Sequence, residues 1–163
     1  MTTAHPPGRL VEVGGHRLWM ETEGAGTPLV LLPGPGPADD HTALHRRFGA
    51  LAADHEVYYL DLYGRGRADR PADPWAISFA GDVLDVATLI ADLDVGPVHL
   101  YGLGYGAQVG WAVAAGHPGL LRSLILAGTH LGVPAPDIRC PVLALRTGAE
   151  HAGSVRSFLA GGS

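Results

Sequence analysis

The chain of 163 residues contains no lysine and no asparagine, so arginine supplies all 11 of its strongly basic side chains. Schiff-base chemistry needs a lysine amine and is therefore excluded. The single cysteine, Cys140, excludes an intrachain disulfide. No apolar run reaches the roughly 18 residues of a membrane span, and the amino-terminal residues do not resemble a secretory signal. These absences predict a cytoplasmic protein that does not enter a membrane.

Charge is also scarce in this chain. Charged residues make up 17% of the sequence, and the formal net charge is −5. An acidic balance argues against a nucleic acid partner. Hydrophobic residues make up 47%, which is ordinary for a globular protein. We expect one domain over residues 1–163, because a chain of this size buries about 70% of its unfolded surface.

Short apolar runs alternate with amphipathic segments along the chain. Predicted strands cover residues 10–13, 17–23, 30–32, 57–60, 98–101, 124–126 and 142–145. Predicted helices follow Asp40 and Ser78, whose side chains can cap a helix, and cover about 107–115 and 155–159. This alternation predicts an α/β fold with a mostly parallel sheet of about seven strands flanked by helices.

Five motifs occur in an informative order. Residues 28–37 read P-L-V-L-L-P-G-P-G-P, and residues 57–71 contain D-L-Y-G-R-G-R-A. Residues 97–121 place a glycine turn between a strand and a helix, and core strands are expected within 123–129 and 138–150. The set resembles the α/β-hydrolase family, with its H-G-x-P-G turn, D-x-x-G-x-G-x-S loop and G-x-S-x-G nucleophile elbow. The resemblance implies an α/β-hydrolase-like core.

The elbow lacks the serine of that family. Residues 102–106 read Gly-Leu-Gly-Tyr-Gly, so Gly104 occupies the nucleophile position. Glycine has no side chain, so no acyl or alkyl intermediate can form there. The family's oxyanion hole uses two backbone N–H groups, which the resemblance assigns to Tyr105 and Pro35. Proline has no N–H, and losing one such donor costs about 10²–10³ in rate.

The chain departs from the family after Thr129. Most members insert a helical lid there, whereas only residues 130–136 precede the next predicted strand. The family's last strand and its catalytic histidine loop are not found in the sequence. The resemblance therefore implies a core without a lid and without the last strand.

Catalytic candidates are His130 and Tyr105. His130 follows a strand at the sheet edge where α/β proteins bind ligands, and histidine exchanges protons near neutral pH. A histidine capping a loop is the alternative. Glu150 aligns with the family's triad acid, and a second alignment makes His151 the base. Both could instead be exposed residues that open a terminal helix.

The resemblance also implies which residues line the cleft. Tyr63, Trp75 and Tyr105 could form an apolar wall, or the aromatic rings could anchor loops. The substrate-binding candidates are Gly34, Pro35, Gly36, Tyr63, Trp75, Leu103, Gly104, Tyr105, Thr129, Leu131, Glu150 and His151. We expect no metal and no cofactor, because no His/Cys/Asp cluster has ligand spacing and the glycine run is not a dinucleotide fingerprint.

The functional prediction follows from the missing serine at position 104 and the missing N–H at Pro35. Serine-less members resemble tailoring enzymes of bacterial polyketide pathways, which implies a non-hydrolytic enzyme for cyclisation, cycloaddition or elimination of an apolar small molecule. One alternative is a ligand-binding or scaffold pseudo-hydrolase without turnover, and another is a residual hydrolase or lyase that uses His or Asp and water. An apolar cleft mouth near Tyr105, Leu131 and Val133 predicts a homo-oligomer.

Overall fold

A computed structural model describes residues 6–34, 36, 40–128, 138–146 and 151–161, with the side chain of His151 left out. The strands are β1 (Gly8–Val13), β2 (His16–Glu23), β3 (Thr27–Leu32), β4 (His55–Asp61), β5 (Val98–Leu103), β6 (Leu121–Ala127) and β7 (Val142–Leu145). The helices are α1 (His41–Phe48), α2 (Phe79–Leu93), α3 (Tyr105–Gly116) and α4 (His151–Gly161). Short 3-10 turns cover Gly49–Ala53, Pro74–Ala76 and Pro118–Leu120.

One sheet of seven strands, in the order β1-β2-β4-β3-β5-β6-β7, organises these elements. The amino-terminal hairpin turns at Gly14 and Gly15, with φ of 54° and 91°. Positive φ at both turn positions matches the right-handed twist of the paired strands. Strand β2 pairs antiparallel with β4, and all pairs from β4 to β7 are parallel. The mostly parallel seven-stranded α/β fold is therefore confirmed.

Two apolar layers cover the faces of the sheet, because side chains alternate along each strand. On β3, Val30 and Leu32 belong to the layer that includes residues of α2 and α3. Leu29 and Leu31 face the opposite layer, with residues of α1 and α4. All four side chains are fully buried. This two-sided burial explains why the parallel strands are short continuous apolar runs.

The predicted helix caps are confirmed. Asp40 accepts hydrogen bonds from the backbone N–H groups of Thr42 and Ala43, and Ser78 accepts one from Gly81 N–H. The apolar stripe of α2 buries Val86 and Ile90, but Phe79 is 44% exposed. Phe79 is the first residue of the helix and packs edge-on against the Tyr105 ring instead of the core. Within the described residues, no helix is long and apolar enough to cross a membrane.

Candidate functional site

A cleft of about 490 Å³ opens at the carboxyl ends of β3, β4 and β5. The chain crosses from β4 over β3 to β5, so the sheet order reverses at this point. Open α/β sheets bind ligands at such a switch point. The lining residues come from the end of β4 and from the segments that follow these strands: Pro33, Gly34, Gly36, Asp40, Asp61, Leu62, Gly64, Arg65, Gly66, Arg70 and Tyr105.

The turn between β5 and α3 keeps the conformation of an elbow. Gly104 has φ 56° and ψ −112°, and its N–H donates to the backbone oxygen of Ala127 at 2.8 Å. Left-handed φ is costly for a residue with a side chain, so the glycine removes that strain as well as the nucleophile. The first turn of α3 leaves backbone N–H groups without intrahelical acceptors. This first turn begins at Tyr105, which lines the cleft.

Gly106 fixes how closely α3 approaches the sheet. A Cβ at this position would lie 2.5 Å from the backbone oxygen of Pro33 and 3.0 Å from that of Leu32. Only glycine permits that approach without a shift of the backbone. The helix start and the turn after β3 are therefore held together, and they form one end of the cleft.

A buried carboxylate joins two lining residues at the cleft. The Tyr105 hydroxyl donates to Asp82 Oδ2, and Arg65 Nη1 lies 2.8 Å from Asp82 Oδ1. The Arg65 guanidinium also lies over the Tyr105 ring, 5.2 Å from its centroid. Asp82 is only 2% exposed. Because a buried carboxylate is stable only with partners, Asp82 holds the phenol and the guanidinium in place.

The Tyr105 phenol keeps its proton and donates a hydrogen bond to Asp82. Burial, together with the hydrogen bond and charge of Asp82, raises the pKa of Tyr105 to about 12, against a smaller opposing effect of Arg65. The hydroxyl thus stays protonated near neutral pH, and its proton points to Asp82. Tyr105 can offer its ring and its oxygen to a ligand, and it cannot act as a base near neutral pH.

A second buried cluster lies behind the cleft. His41 Nδ1 is 2.6 Å from Asp61 Oδ2, and His41 Nε2 is 3.2 Å from Glu21 Oε1. Asp61 also accepts the backbone N–H groups of His41 and Arg67, at 3.0 and 2.9 Å. Burial alone would lower the pKa of His41, but the hydrogen bond and charge of Asp61 and the charge of Glu21 raise it. The imidazole ring of His41 bridges the carboxylates of Asp61 and Glu21, and Asp61 itself lines the cleft.

Of the sequence-predicted site residues, the structure brings Gly34, Gly36 and Tyr105 to the cleft, with Gly104 in the adjoining turn. Tyr63 instead stacks on His16 with ring centroids 3.8 Å apart. Trp75 is 91% exposed, and Leu103 packs against the core layer of α1 and α4. These three do not line the cleft. Pro35, Thr129, His130, Leu131, Glu150 and the His151 side chain lie outside the described residues.

Sequence reasoning missed four charged side chains that the structure places at the site: Arg65, Arg70, Asp61 and Asp82. One signal was present, because Asp82 falls on the same helical stripe as Val86 and is an acid at an apolar position. A carboxylate on a buried helix face needs a cationic partner, so this position predicts an ion pair with an arginine. Among the described residues, no group of three or more candidate ligands could hold a metal ion.

Comparison with known proteins agrees with this architecture. Residues 29–161 match the Alpha/beta hydrolase family. The chain is 33% identical over 132 residues to 2-hydroxymuconate semialdehyde hydrolase of Pseudomonas sp. (strain CF600), covering 79% of this chain and 45% of that protein. It is 28% identical over 127 residues to proline iminopeptidase of Heyndrickxia coagulans, covering 76% and 43%.

A solved structure shows the same fold. An epoxide hydrolase from Vigna radiata matches with a TM-score of 0.75 and 24% identity, over 85% of this chain and 43% of that chain. The chain thus spans less than half the length of the relatives it matches. It belongs to the Alpha/beta hydrolase family.

Proposed function

We propose that this member of the Alpha/beta hydrolase family binds a largely apolar small molecule in the elbow cleft and transforms it without a covalent nucleophile. The observation that carries the proposal is Gly104, which holds the elbow conformation at φ 56° without a side chain. In this proposal the turn presents the ligand to backbone N–H donors of the helix start, and the ligand takes the place that a nucleophile side chain at position 104 would fill.

The described residues support chemistry that depends on shape and polarisation. Pro33, Leu62 and the Tyr105 ring supply apolar contact, and the first turn of α3 offers donors to a carbonyl oxygen. Holding a flexible chain in reactive geometry can lower a barrier by several kcal/mol through entropy alone. Cyclisation, cycloaddition and elimination can all be accelerated by positioning the substrate and polarising a carbonyl. A polyketide intermediate is a flexible, largely apolar chain with carbonyl groups, so we propose it as the substrate class.

Hydrolysis by an activated water is the second candidate. The relatives reported above are named as hydrolases and a peptidase. In that mechanism a water bound in the elbow cleft would attack the substrate, and a base would be required to accept its proton. Asp61 lines the cleft but accepts three N–H groups, so it is poorly placed to accept a further proton.

The site is tested first by ligand binding. We would titrate the protein with 4-phenylbutyramide, a neutral apolar probe, and compare Gly104→Leu with Gly116→Leu. Gly116 ends the same helix, and a Cβ there would meet nothing within 4 Å. We expect Gly104→Leu to weaken binding at least about tenfold and Gly116→Leu to leave it unchanged. Equal binding by a folded Gly104→Leu variant would place the ligand site elsewhere.

The absence of a covalent step is tested with a fluorophosphonate and with p-nitrophenyl butyrate. We expect no adduct in the mass spectrum of the intact protein and no burst of p-nitrophenol, because position 104 has no hydroxyl. Slow turnover that no serine reagent blocks would favour the water mechanism. An adduct that removes activity would show that another side chain serves as nucleophile.

A further inference from the structure

We propose that the ligand of the elbow cleft carries an anionic end group, a carboxylate or an enolate, and that Arg65 binds this group. The inference rests on the proposed function, because it concerns the same cleft, and it adds the chemical class of the ligand. Arg65 lines the cleft beside Tyr105, on the loop that follows β4.

Arg65 is held rigidly and still has donors to offer. Its hydrogen bonds to Asp82 Oδ1 at 2.8 Å and to the Tyr63 backbone oxygen at 2.9 Å both use Nη1, and the Tyr105 hydroxyl is a further side-chain partner. A guanidinium has five N–H donors in a planar fork, so donors remain for a ligand beyond those that serve these three partners. The side chain is 37% exposed, whereas its partner Asp82 is 2% exposed. The donor is thus preorganised from its buried side.

Among the described residues, the other charged side chains of the cleft also make hydrogen bonds within the protein. Asp40 caps α1, and Asp61 accepts two backbone N–H groups and the His41 imidazole. Arg70 donates from Nη1 to the Gly64 oxygen and from Nη2 to the Gly66 oxygen, and so it holds the loop. Arg65 differs because the buried carboxylate of Asp82 anchors its guanidinium, which also lies over the Tyr105 ring. The described residues of the cleft therefore offer a ligand hydrogen-bond donors that carry positive charge.

The position of Arg65 fits a molecule with one charged end. Its guanidinium lies over the Tyr105 ring, so an anion bound there would have apolar surface next to it. Pro33 and Leu62 line the same cleft, whose volume of about 490 Å³ is within the range of small-molecule sites. Charge-assisted hydrogen bonds to a guanidinium are strong and directional, so they would fix which end of the molecule faces the loop.

The test compares two probes of nearly equal shape. We would titrate the protein with 4-phenylbutyrate and with 4-phenylbutyramide, which differ in the charge of one end. The wild type should bind the carboxylate more tightly than the amide. In Arg65→Gln the ratio of the amide Kd to the carboxylate Kd should fall about tenfold, because hydrogen bonds to a charged group are stronger than neutral ones. Arg65→Lys keeps the charge but loses the fork, and it should lose part of the preference.

Arg67→Gln is the matched control. It lies two residues away, its guanidinium carbon is 5.4 Å from the centroid of the Trp19 ring, and it is absent from the cleft lining. The same loss of charge there should leave the preference unchanged. Arg65→Gln strips buried Asp82 of its ion pair and could unfold the protein. The double variant Arg65→Gln/Asp82→Asn removes both charges, so it gives a second folded background for the same titration.

The outcomes separate this inference from the proposed function. If both probes bind equally, or if the preference survives in folded Arg65 variants, then Arg65 does not select an anion. If the amide binds and Gly104→Leu blocks it in that case, the elbow cleft still holds the ligand and only the ligand class is wrong. If neither probe binds the wild type at millimolar concentration, both proposals are wrong.

Discussion

At the scale of single residues, Gly104 is the position that most strongly limits the chemistry we propose. A glycine at φ 56° is relaxed, whereas a residue with a side chain at this position stores strain. Families that place a serine at an elbow accept that strain in return for an exposed nucleophile. Here the position has neither strain nor nucleophile, and Tyr105 and Arg65 are among the side chains that line the cleft.

We predict that Gly104→Ser does not produce an efficient esterase. The new hydroxyl would need a base within hydrogen-bond reach, and the acid–histidine pair at the cleft wall, Asp61 and His41, is already bound within a buried cluster. We also expect the free energy of unfolding to fall by about 1–3 kcal/mol because of positive φ. Urea unfolding and a p-nitrophenyl butyrate assay measure the two effects.

The contrary outcome is informative for Gly104→Ser. Rapid acylation followed by efficient release would show that a base and an oxyanion hole are present. Those groups would then belong to residues outside the described part of the chain. Unchanged stability would show that the turn relaxes when a Cβ is added.

At the scale of elements, α3 is fixed by its first turn and not by its last. Gly106 and Gly116 lie in the same helix, but their surroundings differ. A Cβ at Gly106 would lie 2.5 Å from the Pro33 oxygen, whereas one at Gly116 would meet nothing within 4 Å. The approach of α3 to β3 therefore depends on one missing methyl group.

We predict opposite effects for two alanine substitutions in α3. Gly106→Ala should lower the free energy of unfolding by about 1–3 kcal/mol, because the methyl group overlaps backbone that cannot easily move. Gly116→Ala should be neutral or stabilising by up to about 1 kcal/mol, since alanine is the better helix former. Chemical unfolding of both variants measures the difference. A tolerated Gly106→Ala would mean that α3 can shift away from the sheet.

The elements could be predicted from sequence where the signal is local. Asp40 and Ser78 cap their helices as expected, and residues 142–145 form the expected strand β7, because capping and apolar runs depend on neighbours in the chain. The site could be predicted only in part. Asp82 and Arg65 are 17 residues apart and meet only in the folded protein, so no local pattern pairs them.

At the scale of the whole molecule, the exposed aromatic surface bears on assembly. Trp75 is 91% exposed and Phe79 44% exposed, and Phe79 contacts Tyr105 of the cleft lining. We predict a homo-oligomer that covers such surface, with sedimentation as the measurement. Trp75→Ser/Phe79→Ser should then shift the protein toward the monomer. A wild type that sediments as a monomer at high concentration contradicts this prediction.

Two buried histidines give the whole molecule a characteristic pH response. His41, between Asp61 and Glu21, has a pKa raised above its ordinary 6.5. The folded state therefore binds this proton more tightly than the unfolded chain does. Burial lowers the pKa of His99 to about 4, with smaller effects of His55 and Arg122. His99 donates to or accepts from Ser123 Oγ at 2.6 Å and is neutral in the folded protein near pH 7.

The two histidines predict that the free energy of unfolding changes with pH in opposite directions above and below pH 6.5. The His41 contribution to the free energy of unfolding is complete below pH 6.5 and is lost as pH rises through its folded pKa. The His99 contribution is complete above pH 6.5 and is lost as pH falls to about 4. Urea unfolding from pH 4 to pH 9 should show His41→Gln flattening only the alkaline slope and His99→Gln only the acidic one. If His41→Gln does not fold, NMR of the wild type provides the test: the His41 imidazole should titrate with a pKa above 6.5, and a lower pKa contradicts the raised value.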